Sequence, residues 1–449
     1  MDLSLTSETI QFAGGPERTA PMTWGQKAIY SAILSYGAEA HYFNLMRAVD
    51  VPAGVGARQA LAAVSALCAR HDVLRTRFHE TADGWVQHVH AGGEATVAVT
   101  RASEGGEPVA RALATQLARH TFRHAEELPI SFGLVVSDDG PTHVVLAVSH
   151  LAADGWAADL LKRDLVRLLD GDDLAAPAWT PVDQARYEAD GPGAARGEAA
   201  LTYWRRTLTT IPRSLFPPLV DAAERPDRFV KLRITSRALA VASTIVSARC
   251  GVSTGTVLLA AASIVLGRVV GRDRIALQLI ASNRLDEKSR ELVGPLAENA
   301  LFALDVSPAN VEGGFTTVAR RTFAAGLNAY RHGQYDSLEL DRFLADECEK
   351  DGAELGMGCY FNDMRIGKDW GIDVDSYRSV DEVRELMAQT ETALVGSWAQ
   401  QGSKYFVSVD ETEGSCILFL LVDTELVPQD QVDKLLREME SVVVEAVAG

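Results

Sequence analysis

The sequence lacks the features that define several common classes of protein. Its five cysteines show no C-x-x-C spacing and no disulfide framework, so we expect reduced thiols. No apolar run reaches the ~18 residues that cross a bilayer, and the N-terminus lacks the basic start and apolar stretch of a signal peptide. These absences predict a cytoplasmic protein with no membrane partner.

Positive charge is also scarce. The chain has 43 Lys and Arg against 61 Asp and Glu, which gives a formal net charge of −18. Binding to a phosphate backbone needs clustered basic residues, so nucleic acid is not expected as a partner. The 449 residues are enough for two lobes, each with its own core.

Cofactor and metal motifs are missing as well. The chain has no P-loop and no G-x-G-x-x-G, so we expect no nucleotide cofactor. His120 and His124 are four residues apart, as metal ligands often are, but no Glu follows His120 as in H-E-x-x-H. We therefore predict no metal site and no cofactor bound by the chain itself.

Residues 142–156, which read T-H-V-V-L-A-V-S-H-L-A-A-D-G-W, form the most informative segment. The near-continuous apolar run predicts a strand buried on both faces. The strand ends at His150, and after Asp154-Gly155 apolar residues return at helical spacing from Trp156. Histidine is suited to moving protons near neutral pH, so this strand-to-helix junction is a candidate catalytic site.

Each residue of this segment also has a structural interpretation. Most single histidines after a strand are hydrogen-bonded structural residues. Asp154 could cap the following helix by accepting from free backbone N–H groups, and Gly155 could be a turn residue. The ordered set at one junction is harder to obtain by chance, which favours a functional interpretation.

The segment resembles the H-H-x-x-x-D-G signature of nonribosomal peptide synthetase condensation domains and their chloramphenicol-acetyltransferase-like relatives. Further similarities follow in the family's order along the chain: residues 21–26 (P-M-T-W-G-Q), residues 70–78 (R-H-D-V-L-R-T-R-F), Tyr203-Trp204, and the segment from Asn283-Arg284 to Asn299. The chain is therefore identified as a member of this family, and we expect a free-standing condensation enzyme.

The resemblance implies an α/β fold with α+β mixed sheets. Two chloramphenicol-acetyltransferase-like lobes would form a V-shaped pseudo-dimer with a central tunnel. We expect residues 1–178 to be the N-terminal lobe carrying the S-H-x-x-x-D-G motif. Residues 179–449 would be the C-terminal lobe, with the Asn283-Arg284 segment and elements that cover the tunnel. A monomer is expected.

The periodicity along the chain predicts its main elements. Strands are predicted over residues 3–12, 275–281, 405–409 and 416–422, and helices over residues 57–69, 108–120, 254–269 and 429–447. Residues 170–200 are rich in Asp, Gly, Pro and Ala, and we interpret them as the connection between the lobes.

The resemblance also implies the chemistry. An amine or hydroxyl acceptor would attack an acyl thioester held on the phosphopantetheine arm of an acyl or peptidyl carrier protein. His150 would be the general base or would position the nucleophile. The backbone N–H of Gly155 could approach the oxyanion. Asp154 is expected to pair with Arg284 and to support catalysis through structure.

Ser149 departs from the family, which usually has histidine at this position. A serine hydroxyl cannot replace imidazole in proton transfer, but it can keep one structural hydrogen bond. We therefore assign Ser149 to catalytic support. Trp156, Asn362 and Ser397 are predicted to contact substrate in the tunnel.

Three functions remain open at this stage. The first is a condensation enzyme of nonribosomal peptide or hybrid natural-product biosynthesis that forms an amide or ester. The second is a catalytically silent condensation-like module that recruits carrier proteins or tailoring enzymes. The third is a stand-alone acyltransferase that uses acyl-coenzyme A.

Overall fold

The structure is a computed structural model that describes residues 3–82, 84–103, 105–217, 225–351, 355–365, 370–377 and 379–449. Its strands are, in chain order, β1 (Thr6–Ala13), β2 (Arg18–Pro21), β3 (Leu45–Asp50), β4 (Thr76–Thr81), β5 (Gly84–Val89), β6 (Gly92–Arg101), β7 (Ile130–Ser137), β8 (Gly140–Val148), β9 (Phe229–Ser236), β10 (Arg274–Ala281), β11 (Glu298–Asp305), β12 (Cys359–Asp363), β13 (Glu391–Trp398), β14 (Tyr405–Thr412) and β15 (Ser415–Asp423).

The α-helices follow the same order. They are α1 (Trp24–Tyr36), α2 (Ala57–Arg70), α3 (Gly106–Ala118), α4 (Gly155–Leu169), α5 (Pro181–Ala189), α6 (Gly191–Leu208), α7 (Arg237–Cys250), α8 (Thr254–Val270), α9 (Glu287–Glu291), α10 (Pro308–Val311), α11 (Phe315–Arg331), α12 (Ser337–Asp351), α13 (Val380–Leu386) and α14 (Gln429–Glu445).

The described strands form sheets of five, three and seven strands, ordered β1-β6-β7-β8-β3, β2-β5-β4 and β11-β10-β12-β14-β15-β9-β13. The five-stranded sheet is mixed because β6 and β7 run parallel while β7 and β8 run antiparallel. The seven-stranded sheet is mixed as well, since β12 and β14 are parallel and β14 and β15 antiparallel. The predicted α/β fold with mixed sheets is confirmed.

The chain divides into two compact units. The first comprises Met1–Glu198, Ser282–Glu298 and Tyr335–Asp341, and the second comprises Ala199–Ala281, Asn299–Gln334 and Arg342–Gly449. Each unit has its own large hydrophobic core. The units do not coincide with the lobes predicted from sequence, 1–178 and 179–449, and that lobe boundary stays a prediction.

Strand β8 is buried on both faces, as its apolar run predicts. Val144, Leu146 and Val148 belong to the main core of the first unit. Val145 points the other way and packs in a separate cluster with Leu113 of α3. Strands β7 and β3 pair with the two edges of β8. Strand β8, which directly precedes Ser149 and His150, is therefore fixed by hydrogen bonds on both edges and by packing on both faces.

Residues 170–200, predicted as the connection between the lobes, contain helices instead of a loop, and the first segment of the first unit ends within them at Glu198. Helix α5 begins inside this stretch, with Thr180 as its N-cap and Pro181 in its first turn, and α6 begins soon after it. Proline in a first turn loses no intrahelical hydrogen bond, so a composition rich in Pro and Gly conceals two helices here. The other predicted helices and strands are present, with ends shifted by a few residues.

Among the described residues, no single helix is long and apolar enough to cross a bilayer. Helices α7 and α8 meet that criterion of length and composition only when they are taken together. The two helices are bent by 104° at the break between them, and much of each is buried in the core of the second unit.

A cluster of buried carboxyl groups lies in the first unit. Glu188 accepts hydrogen bonds from the Trp24 backbone N–H (2.7 Å) and from Gln184 (2.8 Å), and burial raises its pKa to about 7. Burial also raises the pKa of Glu298 well above its usual value, and the charges of Glu188 and Asp336 add to the effect. The Oε1 atom of Glu298 is buried and has no hydrogen-bond partner.

These carboxyl groups should make stability depend on pH. A carboxyl group whose pKa is raised by folding stabilises the folded state fully when the pH is below the pKa of the unfolded chain. That stabilisation is lost as the pH rises through the pKa of the folded state. For Glu188 the window runs from about pH 4.5 to about pH 7. The stability of the first unit should therefore fall as the pH rises across this window.

We expect Glu298→Gln to remove part of this dependence, because a neutral amide cannot be forced to ionise in a buried site. At pH 8 the variant should be more stable than the parent by about 1–3 kcal/mol, and at pH 5 the two should match. Thermal midpoints measured from pH 5 to pH 9 test this, with the exposed Glu287→Gln as control. Parallel curves for parent and variant would contradict it.

Candidate active site at the end of strand β8

His150 lies in the turn that directly follows β8. Its side chain is part-buried, and its Nδ1 atom is buried. Burial lowers the pKa of His150, and the nearby Asp154 carboxylate and hydrogen bonds to the backbone of His150 and Ala153 oppose this shift only in part. The imidazole is therefore neutral at neutral pH, which is the form that accepts a proton.

Asp154 is occupied with structural contacts. It is the N-cap of α4, where its Oδ1 atom accepts from the Ala157 backbone N–H at 2.8 Å. Its Oδ2 atom accepts from the backbone N–H groups of Leu296 (3.0 Å) and Ala297 (3.2 Å). These hydrogen bonds fix the carboxylate. Asp154 is thus both the N-cap of α4 and the structural support that the family resemblance implies.

The predicted ion pair between Asp154 and Arg284 is present, with 2.8 Å between Oδ1 and Nη2 and both side chains buried. Arg284 also donates to the carbonyl oxygens of Ser289 (2.6 Å), Leu292 (2.8 Å) and Gly294 (2.9 Å). The preceding Asn283 has a positive φ of 57°. The pair therefore fastens the segment around α9 to the start of α4.

Gly155 is the first residue of α4, and it is exposed. Its φ is not in the left-handed region, so the backbone does not require glycine here. A Cβ built at this position would meet no heavy atom within 4 Å. Packing does not require glycine either, and a side chain would project into open space at a helix N-terminus, where backbone N–H groups are unpaired.

Trp156 packs against the same segment. Its Nε1 atom donates to the Arg290 carbonyl oxygen at 2.9 Å, and the Arg284 guanidinium lies over its ring, 5.8 Å from the centroid. These contacts explain the tryptophan structurally. Its predicted contact with substrate stays a prediction.

Ser149 is buried and bonded to a histidine that the sequence did not indicate as its partner. Its Oγ atom lies 2.8 Å from Nε2 of His124, and it accepts from the Leu151 backbone N–H at 3.3 Å. The His124 ring contacts Phe78 and Tyr30 edge-on, and burial lowers its pKa to about 4. The neutral, buried imidazole of His124 therefore contacts Ser149, although the two residues are far apart in the sequence.

This contact predicts what a histidine at position 149 would do. We expect Ser149→His to destabilise the protein by about 1–3 kcal/mol, because the larger ring would meet the His124 ring. The double variant Ser149→His with His124→Ala should recover part of that loss. Thermal midpoints of the single and double variants test this. A single variant as stable as the parent would mean that His124 does not limit position 149.

His71 and His120 also have structural partners. His71 is buried with its Nε2 atom 3.0 Å from Asp164, which also binds Arg70 and Arg163. His120 lies 2.9 Å from Glu127, while His124 bonds to Ser149, so the two do not share a ligand site.

Asn362 and Ser397 belong to the second unit. Asn362 is part-buried on β12 and pairs with Ser408 of β14. Ser397 is exposed on β13, the last strand of the seven-stranded sheet, opposite Val230. Their predicted contacts with substrate stay predictions.

The model of the condensation domain family matches residues 17–355, about three quarters of the chain. The chain belongs to the condensation domain family. The resemblance carried by residues 142–156 is confirmed, and with it the two-lobed chloramphenicol-acetyltransferase-like fold.

This condensation domain is similar to segments of large synthetases. It is 25% identical to chondramide synthase CmdD of Chondromyces crocatus over 346 residues, which cover 73% of this chain and 8% of that protein. It is 30% identical to enniatin synthase of Fusarium equiseti over 155 residues, which cover 32% of this chain and 5% of that protein. The chain thus spans under a tenth of the length of these relatives.

Solved structures share the fold over almost the whole chain. SgcC5 of Streptomyces globisporus superposes with a TM-score of 0.71 and 18% identity, covering 95% of this chain and 98% of that one. The X-domain from teicoplanin biosynthesis superposes with a TM-score of 0.72 and 18% identity, covering 97% and 96%. Identities this low establish the fold alone.

Proposed function

We propose that this condensation domain joins a carrier-bound acyl thioester to an amine or hydroxyl acceptor. The observation that carries the proposal is His150, a part-buried imidazole that is neutral at neutral pH and directly follows a rigid strand. A neutral imidazole in a fixed position can accept a proton from a bound acceptor, which supports a role in positioning or proton transfer.

In the proposed reaction His150 accepts the proton of the acceptor N–H or O–H as the new C–N or C–O bond forms. The tetrahedral intermediate then breaks its C–S bond, and the phosphopantetheine thiolate leaves and takes up the proton from His150, which returns to its neutral form. The lowered pKa of His150 suits an amine acceptor that is already neutral, for which positioning is enough. A hydroxyl acceptor would need full general-base catalysis from the same residue.

Gly155 is proposed to leave room for the oxyanion. Neither its φ nor its packing requires glycine, and the open space beside it lies at the N-terminus of α4. An oxyanion there would be stabilised by backbone N–H groups and by the positive end of the helix dipole. Asp154 and Arg284 are proposed to keep this helix end in place.

The partners in this proposal are acyl or peptidyl carrier proteins and a small acceptor molecule, with no cofactor bound by the chain. The proposal also includes a monomer in the cytoplasm. Trp156, Asn362 and Ser397 are proposed substrate contacts. The proposal also includes action in trans as a free-standing protein.

A recruitment role is the second candidate. The X-domain of teicoplanin biosynthesis, which has this fold, was solved in complex with OxyB, so a condensation-like domain can hold another protein. Ser149 in place of the family's histidine favours this alternative. The open position beside Gly155 and the neutral imidazole of His150 favour catalysis, since a recruitment surface needs neither.

A donor comparison tests the proposal and separates the remaining alternatives. The protein is incubated with one amine acceptor and with the same acyl group on a carrier protein, on coenzyme A, or on free pantetheine. Product from the carrier-bound donor alone supports a condensation enzyme, and equal product from acyl-coenzyme A supports a stand-alone acyltransferase. No product from any donor across a panel of carriers would favour the recruitment role.

A further inference from the structure

A group of metal-ligating side chains lies on the three-stranded sheet β2-β5-β4 of the first unit. Glu17, His88 and His90 each offer one ligand atom, and the three atoms lie within 4.8 Å of one another. His88 is on β5 and His90 follows the strand directly, so both point to the same face. Glu17 directly precedes β2, in which Arg18 pairs with Val89, and this register brings Glu17 beside His90.

The two histidines have unequal hydrogen bonding. The Nε2 atom of His90 is buried and has no hydrogen-bond partner. The Nδ1 atom of His88 lies 2.8 Å from Thr19 Oγ1, the residue paired with it across the sheet. Ligating histidines commonly have their second nitrogen held in this way, which orients the ring. The arrangement therefore includes an oriented imidazole and a buried ring nitrogen that no protein group satisfies.

We propose that Glu17, His88 and His90 bind a divalent transition-metal ion. Two imidazole nitrogens and one carboxylate oxygen suit Zn²⁺, with a water molecule as the fourth ligand. Glu17 is exposed, so an ion can enter from solvent. The site is independent of the proposed acyl transfer, and a bound ion would fasten the chain before β2 to the end of β5. It departs from the sequence-based prediction of no metal.

A nearby positive charge gives the proposal a sharper test. Arg77 of β4 pairs with His88 in the sheet register, so its side chain lies on the ligand face of the sheet. A guanidinium there repels a cation and weakens its binding. Arg77→Gln should therefore bind the ion several times more tightly than the parent, a gain of affinity that a damaged fold would not produce.

Calorimetric titration of the full chain with ZnCl₂ at pH 7.5, after removal of bound metal by a chelator, tests the site. We expect one ion per chain in the parent. His88→Ala and His90→Ala should each weaken binding by about a hundredfold or more, because each removes a ligand. The control is His120→Ala, since His120 lies on another segment and bonds to Glu127. This control should leave Zn²⁺ affinity unchanged.

Two results would overturn the proposal. One is the absence of Zn²⁺ binding in the parent, and the other is unchanged affinity in both histidine variants. Circular dichroism shows whether each variant is folded. If a histidine variant fails to fold, the exposed Glu17→Gln provides the same test, because it removes the anionic ligand from the surface. A thermal midpoint that rises with ZnCl₂ in the parent, and not in the ligand variants, gives an independent readout.

Discussion

His150→Ala should lower the rate of product formation by a factor of about 10²–10⁴, the usual contribution of a positioned acid or base. The same substitution should leave the thermal midpoint close to that of the parent. The His150 side chain is only part-buried and lies in a turn, so its removal should cost little packing. Product formed in single turnover, together with the melting curve, measures both effects.

The matched control for this variant is His143→Gln. His143 lies near the other end of the same strand and pairs with Asp50 at 3.0 Å, away from the turn that carries His150. It should retain the rate of the parent. A His150→Ala protein that forms product at the parental rate would contradict the assignment of His150. A collapse of its thermal midpoint would instead indicate a structural role.

Arg284→Met should destabilise the first unit by about 3–5 kcal/mol, because it leaves the Asp154 carboxylate buried without its counter-charge. For a unit of this size the thermal midpoint should fall by about 10 °C. Adding Asp154→Asn to the same protein should restore part of the loss, since a neutral amide no longer needs the guanidinium. The interaction free energy of this double-mutant cycle measures the coupling.

The control for the ion pair is Arg290→Met. Arg290 is exposed, and the bond from Trp156 goes to its backbone carbonyl, which the substitution keeps. Its effect should stay within about 0.5 kcal/mol. Strictly additive effects of the Asp154 and Arg284 substitutions would show that the two side chains do not stabilise the N-terminus of α4 as a pair.

The sequence predicts the site where short-range rules decide the structure. The apolar run to Val148 predicts β8 because neighbours cover both of its faces, and Asp154 caps α4 as its residue type suggests. The ion pair of Asp154 with Arg284 could not be predicted from such local rules, because Arg284 is far away in the chain. Only the resemblance to the family indicated it.

Other features depend on contacts that no local pattern encodes. His124 fills the space beside Ser149, but its spacing to His120 suggested only a metal motif, which the structure does not form. Glu17 lies close to His88 and His90 because β2 pairs with β5 in a particular register, and no sequence motif links the three residues. The two helices that begin within residues 170–200 were missed because proline and glycine near their starts have the composition of a loop.

The most direct test of the account is the intact mass of an acyl-loaded carrier protein, followed over time with an acceptor and this condensation domain. We expect the carrier to lose the mass of the acyl group while the amide or ester appears, and we expect His150→Ala to slow this transfer by a factor of about 10²–10⁴. A carrier that stays loaded with the parent protein, across carriers that bind it, would contradict catalysis. The domain would then be a recruitment module.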